Sequence, residues 1–170
     1  SSDFCHHATS MLVVELLERH DRSRFETFAY CHSPDDGSAL RKRVSNAFEH
    51  FNCVGHLSNR ATSAKIQSDG IEILIELNGY SRGMRPEVLA LRPAPVQVSY
   101  LGYPATTGAD YIDYLIADPV VVPVAHHLTD ENLAWRIFFM GDLREVLEPT
   151  SSITQSANQR SLSIGSGQQD

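Results

Sequence analysis

A histidine pair with a nearby carboxylate is the first group in this sequence that could do chemistry. His6 and His7 follow Asp3, and a helix is predicted directly after them. An imidazole before a helix N-terminus can bind an anion, orient a phosphate or accept a proton near neutral pH. Asp3 is close enough in sequence to orient it. The alternative is a loop pair without function; zinc binding is disfavoured because no further Cys or His recurs at ligand spacing. A second pair, at 126–127, lies in a polar stretch and is expected to be exposed.

A second group lies in segment 78–85, Asn-Gly-Tyr-Ser-Arg-Gly-Met-Arg. Gly79 and Gly83 allow sharp turns, and the guanidinium groups of Arg82 and Arg85 could clamp a phosphate or a carboxylate. The alternative is a loop whose arginines pair with acidic neighbours. No Gly-x-Gly-x-x-Gly or Walker pattern occurs, so a self-contained cradle for nucleotide phosphates is not supported.

A third group is delivered by segment 90–108, in which a short apolar strand runs into a loop dense in Gly, Pro and Thr. Pro93 and Pro95 end the preceding helix and keep the chain extended. Gly102 lacks a Cβ where a ligand or a neighbouring backbone needs close approach, and Thr-Thr-Gly at 106–108 offers hydroxyls and amides. The alternative is a strand followed by a rigid turn.

Hydrophobic patterning alternates between the periods of strands and helices. Strands are predicted at 25–31, 51–54, 71–77, 96–100 and 114–117, and helices from about residue 9 and at 38–49, 59–68 and 85–91. This alternation indicates βαβ units, and therefore an α/β chain with a Rossmann-like, doubly wound parallel sheet. Ligands of such sheets bind outside the carboxyl ends of the strands, where loops 3–9, 78–85 and 101–108 are expected.

Two of these elements carry specific expectations. The first helix is expected to use Thr9 or Ser10 as its N-cap and to bury an apolar stripe. That stripe contains Met11, Leu12, Val13, Leu16 and Leu17. Segment 71–77 is nearly continuous in aliphatic residues and predicts a strand covered on both faces. Glu72 and Glu76 share one face of it; paired carboxylates are typical of glycoside hydrolases, although either one can simply reach solvent.

Composition predicts a soluble chain with a single core. It has 170 residues, 42% hydrophobic and 21% charged, with a formal net charge of −7. The negative charge argues against nucleic acid as the main partner, and the basic cluster 41–43 is predicted to be a solvated helix face. No run of about 18 apolar residues and no charged-then-apolar leader occurs, so we expect no membrane segment and a cytoplasmic location.

The cysteines and the two ends add further expectations. Cys5, Cys31 and Cys53 are odd in number and widely spaced, so neither a metal site nor a disulfide framework follows and reduced thiols are expected. A strand is expected before the loop that feeds the first helix. Residues 1–146 are assigned to one lobe, and the Ser-, Gln- and Asn-rich residues 147–170 to a disordered polar tail.

Several strings of residues occur here in the order in which one known family has them. They are Ser1-Ser2-Asp3-Phe4-Cys5-His6-His7-Ala8-Thr9-Ser10, Asp69-Gly70-Ile71, Leu77-Asn78-Gly79-Tyr80, Leu91-Arg92-Pro93-Ala94-Pro95-Val96-Gln97, Leu101-Gly102-Tyr103-Pro104, Thr107-Gly108 and Asp113-Tyr114. Together they resemble the amino-terminal catalytic lobe of the protein O-linked N-acetylglucosamine transferase family, in its bacterial-type form. The resemblance runs from Ser1 to about Pro123, with a weaker echo to Gly141-Asp142.

The resemblance implies one lobe of a two-lobed glycosyltransferase of the type-B fold. Such enzymes transfer N-acetylglucosamine from UDP-N-acetylglucosamine to Ser or Thr hydroxyls of proteins, inverting the anomeric carbon without a metal or other cofactor. His7 matches the family's active-site histidine, a candidate base, and Asp3 matches the aspartate beside it. Thr9 matches a residue that lines the sugar pocket.

The same resemblance assigns residues to the two substrates. Leu101 and Gly102 match donor-contacting positions, and Tyr80 and Arg85 match positions near the acceptor cleft. The leaving diphosphate must be neutralised by preorganised donors and cations. In the family those groups belong mainly to the carboxyl-terminal lobe, so the family's enzymes need both lobes.

This chain also departs from the family pattern. The carboxyl-terminal lobe, the helical repeats that usually precede the catalytic region and recruit protein substrates, and the strand before Ser1 are absent from this sequence. Ala8 replaces a frequent proline, and Cys5 stands where glycine is common. Little or no transferase activity is therefore expected of the chain alone. Two alternatives stay open: a relative of the plant-type protein O-fucosyltransferases, and a non-catalytic module that binds peptide or sugar.

Overall fold

The computed structural model describes residues 1–103, 107–118 and 120, together with the backbone of a strand at Arg136–Phe139. The elements are α1 (Ala8–Glu18), β1 (Phe28–Cys31), α2 (Ala39–Ala47), β2 (His50–Cys53), α3 (Asn59–Ser68), β3 (Ile73–Glu76), α4 (Pro86–Ala90), β4 (Val96–Tyr100), β5 (Tyr114–Ala117) and β6 (Arg136–Phe139). The sequence did not predict β6. The features predicted at 104–106, 126–127 and 147–170 lie outside the described residues.

Every strand pair is parallel, as the βαβ pattern predicted. β1 pairs with β2, and a four-stranded sheet has the order β3-β4-β5-β6. Helices cover both faces, because Ala29 packs with α1 and α2 whereas Tyr30, which points to the opposite side of β1, packs with α3 and α4. The predicted Rossmann-like, doubly wound α/β architecture is confirmed.

The amino-terminal residues lie between the two sheets. The nitrogen of Ser1 donates to the Tyr30 carbonyl at 2.9 Å, and the His32 N–H donates to the Ser1 carbonyl at 3.2 Å. The next residue, Ser2, donates its N–H to Oδ1 of Asn78 at 3.0 Å, just past the end of β3. One extended stretch of backbone therefore bridges the ends of β1 and β3.

The expectation that the 71–77 strand is covered on both faces is wrong for the described residues. Ile73 and Ile75 are each 48% exposed. In the described part of the chain, β3 pairs with β4 on one edge and has no strand on the other. A continuous run of aliphatic residues predicts an apolar strand, but it does not predict which neighbouring elements cover that strand.

The cap expected for the first helix is also wrong. The N-cap of α1 is His7, whose Nδ1 accepts a hydrogen bond from the Thr9 N–H. Ser10 lies inside the helix, and its hydroxyl donates to the Asp3 carbonyl at 2.6 Å. A histidine can take the place of Ser or Thr here because its ring nitrogen is an acceptor at the right distance.

The apolar stripe of α1 is narrower than expected. Val13 and Val14 are buried, and Leu17 is partly buried against the same core. The other three stripe residues are mostly exposed: Met11, Leu12 and Leu16. Within the described residues, α1 packs mainly against α2, so only one arc of the helix is covered.

Burial of Arg41 corrects the prediction that the basic cluster 41–43 is wholly solvated. Arg41 is 4% exposed, whereas Lys42 and Arg43 are exposed as predicted. The Arg41 guanidinium donates to the Phe4 carbonyl at 2.5 Å and lies 4.6 Å from the centroid of the Phe51 ring. The side chain thus ties α2 to the loop before α1.

Gly102 makes the close backbone approach that its position after β4 predicted. A Cβ placed there would lie 1.7 Å from the Leu77 carbonyl oxygen. We expect Gly102→Ala to displace the loop after β4 from the end of β3 and to lower the free energy of unfolding by about 1–3 kcal/mol. Hydrogen exchange should show faster amide exchange in loops 78–85 and 101–103.

Gly37→Ala is the matched control for that variant. Gly37 has φ +68° with nothing within 4 Å of an added Cβ, so the substitution costs about 1–2 kcal/mol of local backbone strain. Exchange in the two loops should stay unchanged. Equal loop exchange in both variants would contradict the close-packing interpretation of Gly102.

His32 makes the stability of this region dependent on pH. Burial is the main cause that lowers its pKa from 6.5 to about 4, while its bond to the Gly83 carbonyl acts in the opposite direction. Between those two values the unfolded chain binds a proton that the folded chain does not. The free energy of unfolding should therefore fall as pH decreases from 6.5 towards 4.

His32→Gln keeps a donor for the Gly83 carbonyl but removes the titrating group. We expect urea unfolding to show a smaller loss of stability across this pH interval for the variant than for the parent protein. Parallel stability curves for the two proteins would contradict the assignment to His32.

Candidate functional site

Three loops meet at the carboxyl ends of the strands. They are the loop before α1 (3–7), the loop after β3 (77–85) and the loop after β4 (101–108, of which 104–106 are not described). Asn78 of the second loop bonds to Asp3 of the first, and the Tyr80 hydroxyl donates to the Thr107 carbonyl at 2.8 Å. The predicted convergence of these loops is observed.

Asp3 is the centre of the hydrogen-bond network in this site. It is 8% exposed. Its Oδ2 accepts from Asn78 Nδ2 at 3.0 Å and from the Thr9 hydroxyl at 3.4 Å, and its Oδ1 accepts from the Ser2 hydroxyl at 2.8 Å. These bonds orient the carboxylate, because three donors converge on it from three segments of the chain.

His7 lies beside that carboxylate, as its spacing from Asp3 suggested. Its Nδ1 is 3.7 Å from Asp3 Oδ2 and accepts the Thr9 N–H at 3.2 Å. The side chain is 49% exposed. Because Nδ1 acts as an acceptor, the neutral imidazole carries its proton on Nε2. The ring can therefore offer a hydrogen-bond donor at Nε2.

Asn78 is a positioning residue that the sequence included in the candidate segment 78–85 without assigning it a role of its own. It is 1% exposed, and its amide donates to Ser2 Oγ at 2.8 Å and to Ser81 Oγ at 3.4 Å, in addition to Asp3. The available signal was an Asn at the end of an aliphatic strand. Its Asn-Gly context is typical of turns and hid the buried role.

Glu76 and Glu72 do not act as a pair of acids. Glu76 accepts hydrogen bonds from the backbone N–H groups of Asn78, at 2.6 Å, and Gly79. Burial raises the pKa of Glu76, although these bonds act in the opposite direction. Glu72 is exposed. The half-buried Glu76 carboxyl group shapes the loop after β3, so the interpretation of a glycosidase-like acid pair is not supported.

Leu101 and Gly102 form a tight turn directly after β4. Leu101 has φ +68°, a left-handed conformation that is unusual for a non-glycine residue. The Gly102 N–H donates to the Tyr100 carbonyl at 2.9 Å. Such backbone strain, of order 1–3 kcal/mol, clusters at ligand-binding sites. The turn lies against Leu77, next to the Asp3 network.

Tyr80 and Arg85 line one shallow recess beside the three loops. Tyr80 is 44% exposed, and its ring lies edge-on to the Tyr103 ring at 5.7 Å. The Arg85 guanidinium donates to Asn59 Oδ1 at 2.7 Å and to the Leu57 carbonyl at 2.8 Å. Arg85 therefore also holds the β2–α3 connection.

The described part of the chain contains neither a metal-binding cluster nor a membrane-spanning helix. No group of three or more His, Cys, Asp or Glu side chains is arranged to hold a metal ion in this part of the chain. No helix among the described elements is long and apolar enough to cross a membrane.

Comparison with known proteins gives similar sequences from animals and plants. UDP-N-acetylglucosamine--peptide N-acetylglucosaminyltransferase of Caenorhabditis elegans is 46% identical over 86% of this chain and 13% of its own length. A probable UDP-N-acetylglucosamine--peptide N-acetylglucosaminyltransferase SEC of Arabidopsis thaliana is 41% identical over 92% of this chain and 17% of its own length. The chain thus spans less than a fifth of either relative.

A solved structure agrees with the sequence relatives. A mutant of the O-GlcNAc transferase of Thermobaculum terrenum superposes with a TM-score of 0.75 at 29% identity, over 82% of this chain and 26% of that protein. The family model described as glycosyl transferase family 41 matches residues 1–163. The family inferred from the motifs is confirmed, although the match extends beyond residues 123 and 142, where the motifs had placed its end. The chain belongs to glycosyl transferase family 41.

Proposed function

We propose that this chain is one lobe of a protein O-GlcNAc transferase, which transfers N-acetylglucosamine from UDP-N-acetylglucosamine to Ser or Thr hydroxyls of proteins. The observation that carries the proposal is the network at the carboxyl edge of the sheet, in which Asn78 and Thr9 donate to the Asp3 carboxylate and the Thr9 N–H donates to His7. It lies where doubly wound folds bind ligands, in a chain whose relatives carry the name of this activity.

In the proposed reaction the acceptor hydroxyl oxygen attacks the anomeric carbon as the bond from that carbon to the diphosphate breaks. The hydroxyl proton passes to solvent water, which reaches the exposed His7 side of the site, and the bonding electron pair leaves with the diphosphate as negative charge. His7 presents a donor at Nε2 while Nδ1 is held by the Thr9 N–H. We assign to His7 the stabilisation of a developing negative charge or the orientation of the donor, because proton acceptance at Nε2 would require the other tautomer.

The remaining predicted roles are part of the same proposal. Thr9, Leu101 and Gly102 are assigned to the donor sugar, supported by the contact of Thr9 with Asp3 and by the strained turn after β4. Tyr80 and Arg85 are assigned to the acceptor side, supported by the recess that both line.

A second lobe is proposed because the Asp3 network contains no guanidinium or ammonium group for a diphosphate, and the described loops around it offer a single exposed guanidinium, that of Arg82. The groups of the network are a carboxylate, amides, hydroxyls and an imidazole, and the Arg85 guanidinium is bound to the β2–α3 connection. A leaving diphosphate needs cations or helix N-termini. We propose that a carboxyl-terminal lobe supplies them, that upstream helical repeats recruit protein substrates, and that the protein is cytoplasmic and uses no metal cofactor.

We further propose that residues 1–146 form the lobe together with one more parallel strand, between β1 and β3. The pairing of Ser1 with the end of β1 and the exposure of Ile73 and Ile75 support it. With that strand, the sequence of neighbours β2, β1, new strand, β3, β4 and β5 would be the common doubly wound order 3-2-1-4-5-6.

The function is tested by transfer assays on the whole protein with His7 variants. His7→Asn keeps a capping acceptor without the imidazole, whereas His7→Ala also loses the cap at a cost of about 1 kcal/mol. Both should lose roughly 10²–10⁴-fold in turnover, and EDTA should leave the parent enzyme unchanged. His56→Ala, at an exposed histidine, is the control. Retained turnover in His7→Asn would contradict the assignment, and transfer from GDP-fucose instead would identify the alternative donor.

The chain of 170 residues alone should show little or no transfer in the same assay, because the charge stabilisation of the diphosphate is assigned to the other lobe. Mass spectrometry of a Ser/Thr peptide incubated with UDP-N-acetylglucosamine measures this. Robust glycosylation by the isolated chain would overturn the half-site proposal.

Asn78→Ala tests whether the buried amide positions Asp3. The variant leaves the Asp3 carboxylate without one of its donors, which should lower the free energy of unfolding by about 1–3 kcal/mol. In the whole protein, kcat should fall while KM for the peptide stays near that of the parent. Asn46→Ala, at an exposed position in α2, should change neither quantity; a KM effect alone in Asn78→Ala would argue against a positioning role.

A further inference from the structure

Two of the three cysteines occupy paired positions on neighbouring strands. Cys31 of β1 is the register partner of Cys53 of β2. Neighbouring strands lie about 4.7–4.9 Å apart, which is within the Cα–Cα range of about 4.4–6.8 Å found for disulfides. Register partners on parallel strands point to the same face. The two thiols, distant in sequence, are therefore neighbours in the fold.

A single guanidinium contacts both sulfur atoms. Arg41 Nη1 lies 2.7 Å from Cys31 Sγ, and Arg41 Nη2 lies 3.6 Å from Cys53 Sγ. The Asp35 carboxylate is farther, at 4.0 Å from Arg41 Nε, and is largely exposed. Reactive cysteines are typically found beside a cation and with partial access to solvent. This arrangement has both features.

The two thiols differ in access. Cys53 is exposed, whereas Cys31 is fully buried at 0%. An external reagent can therefore reach Cys53 first, and Cys31 can react only with a partner that is already inside the fold. The third thiol is disfavoured as that partner, because burial and the nearby Asp36 and Asp3 carboxylates raise the pKa of Cys5.

We propose that Cys31 and Cys53 form a dithiol site that a low-molecular-weight disulfide, such as glutathione disulfide, converts to an intramolecular disulfide. The Cys53 thiolate attacks one sulfur of the reagent, and the first reagent thiolate leaves. The Cys31 thiol then loses its proton and attacks Cys53 Sγ, which displaces the second reagent thiolate. In total, two protein thiols are oxidised by two electrons, and one disulfide is reduced to two thiols.

Oxidation would reach the loop that carries the candidate site. Arg41 Nη1 donates to the Phe4 carbonyl as well as to Cys31, and Phe4 follows Asp3 directly. When the two thiols become a disulfide, the contacts of the Arg41 guanidinium with the two sulfur atoms change. The hydrogen bond from the same guanidinium to the Phe4 carbonyl is then expected to change as well. This effect on catalysis rests on the proposed function, whereas formation of the disulfide does not.

The test is thiol mapping of the folded whole protein after incubation with glutathione disulfide at neutral pH. Free thiols are then blocked with N-ethylmaleimide, and tryptic peptides are analysed by mass spectrometry. We expect one linked pair of peptides containing Cys31 and Cys53, with Cys5 alkylated. A link that contains Cys5, a stable glutathione adduct on Cys53 or no oxidation at all would overturn the proposal.

Single variants test the order of the two steps. Cys31→Ser should accumulate the mixed disulfide at Cys53, because the resolving thiol is gone. Cys53→Ser should leave Cys31 unmodified, since Cys31 is buried. Cys5→Ser is the matched control and should form the Cys31–Cys53 link at the rate of the parent protein. Circular dichroism of each variant establishes that it is folded, and a slowed link in Cys5→Ser would assign the first attack to Cys5 instead.

Discussion

The hydrogen bonds of Asn78 to the amino-terminal loop are the contacts on which the rest of this site depends. The edge of β3 that faces β1 carries no strand among the described residues, so the two sheets are held together there by few groups. The Asn78 amide accepts from the Ser2 N–H and donates to the Asp3 carboxylate, joining the two halves. A buried amide can do this because it offers a donor and an acceptor at once. The same contact orients the carboxylate beside His7, so architecture and site chemistry share one interaction.

A buried guanidinium performs a comparable task on the α1–α2 side. Arg41 contacts the Phe4 carbonyl, the Phe51 ring and the two sulfurs of Cys31 and Cys53. Desolvation opposes its charge, yet its pKa is raised because of the bond to Cys31 and the nearby sulfur and Asp35 charges. A side chain with five donors can bind several segments at once. The loop that carries Asp3 and His7 is thus held from both sides, by Asn78 from β3 and by Arg41 from α2.

Because of these contacts, the Asp3 carboxylate is held in one orientation, whereas the His7 imidazole is accessible to solvent. Asp3 is buried and His7 is half-exposed, so the ring is presented at the surface formed by the carboxyl ends of the strands. The chain belongs to glycosyl transferase family 41 and spans 13–17% of the length of two relatives. A surface that contributes only orientation and hydrogen-bond donors is consistent with one part of a larger site. In the proposed function, the compensation of diphosphate charge comes from outside this surface.

The sequence by itself determined the local elements and the family. The bounds expected for α3 (59–68), β4 (96–100) and β5 (114–117) are those observed, because capping residues, prolines and apolar runs act over a few neighbouring residues. The βαβ order read from the sequence also predicted that the three loops lie at one edge of the sheet, because the parallel strands of βαβ units end on the same side. Tertiary structure alone decided that His7 caps α1, that Arg41 is buried, that Ile73 and Ile75 are exposed and that Cys31 faces Cys53. Each of these four features depends on which distant segments of the chain become neighbours in the fold. A local sequence pattern reflects only nearby residues and therefore does not specify those long-range contacts.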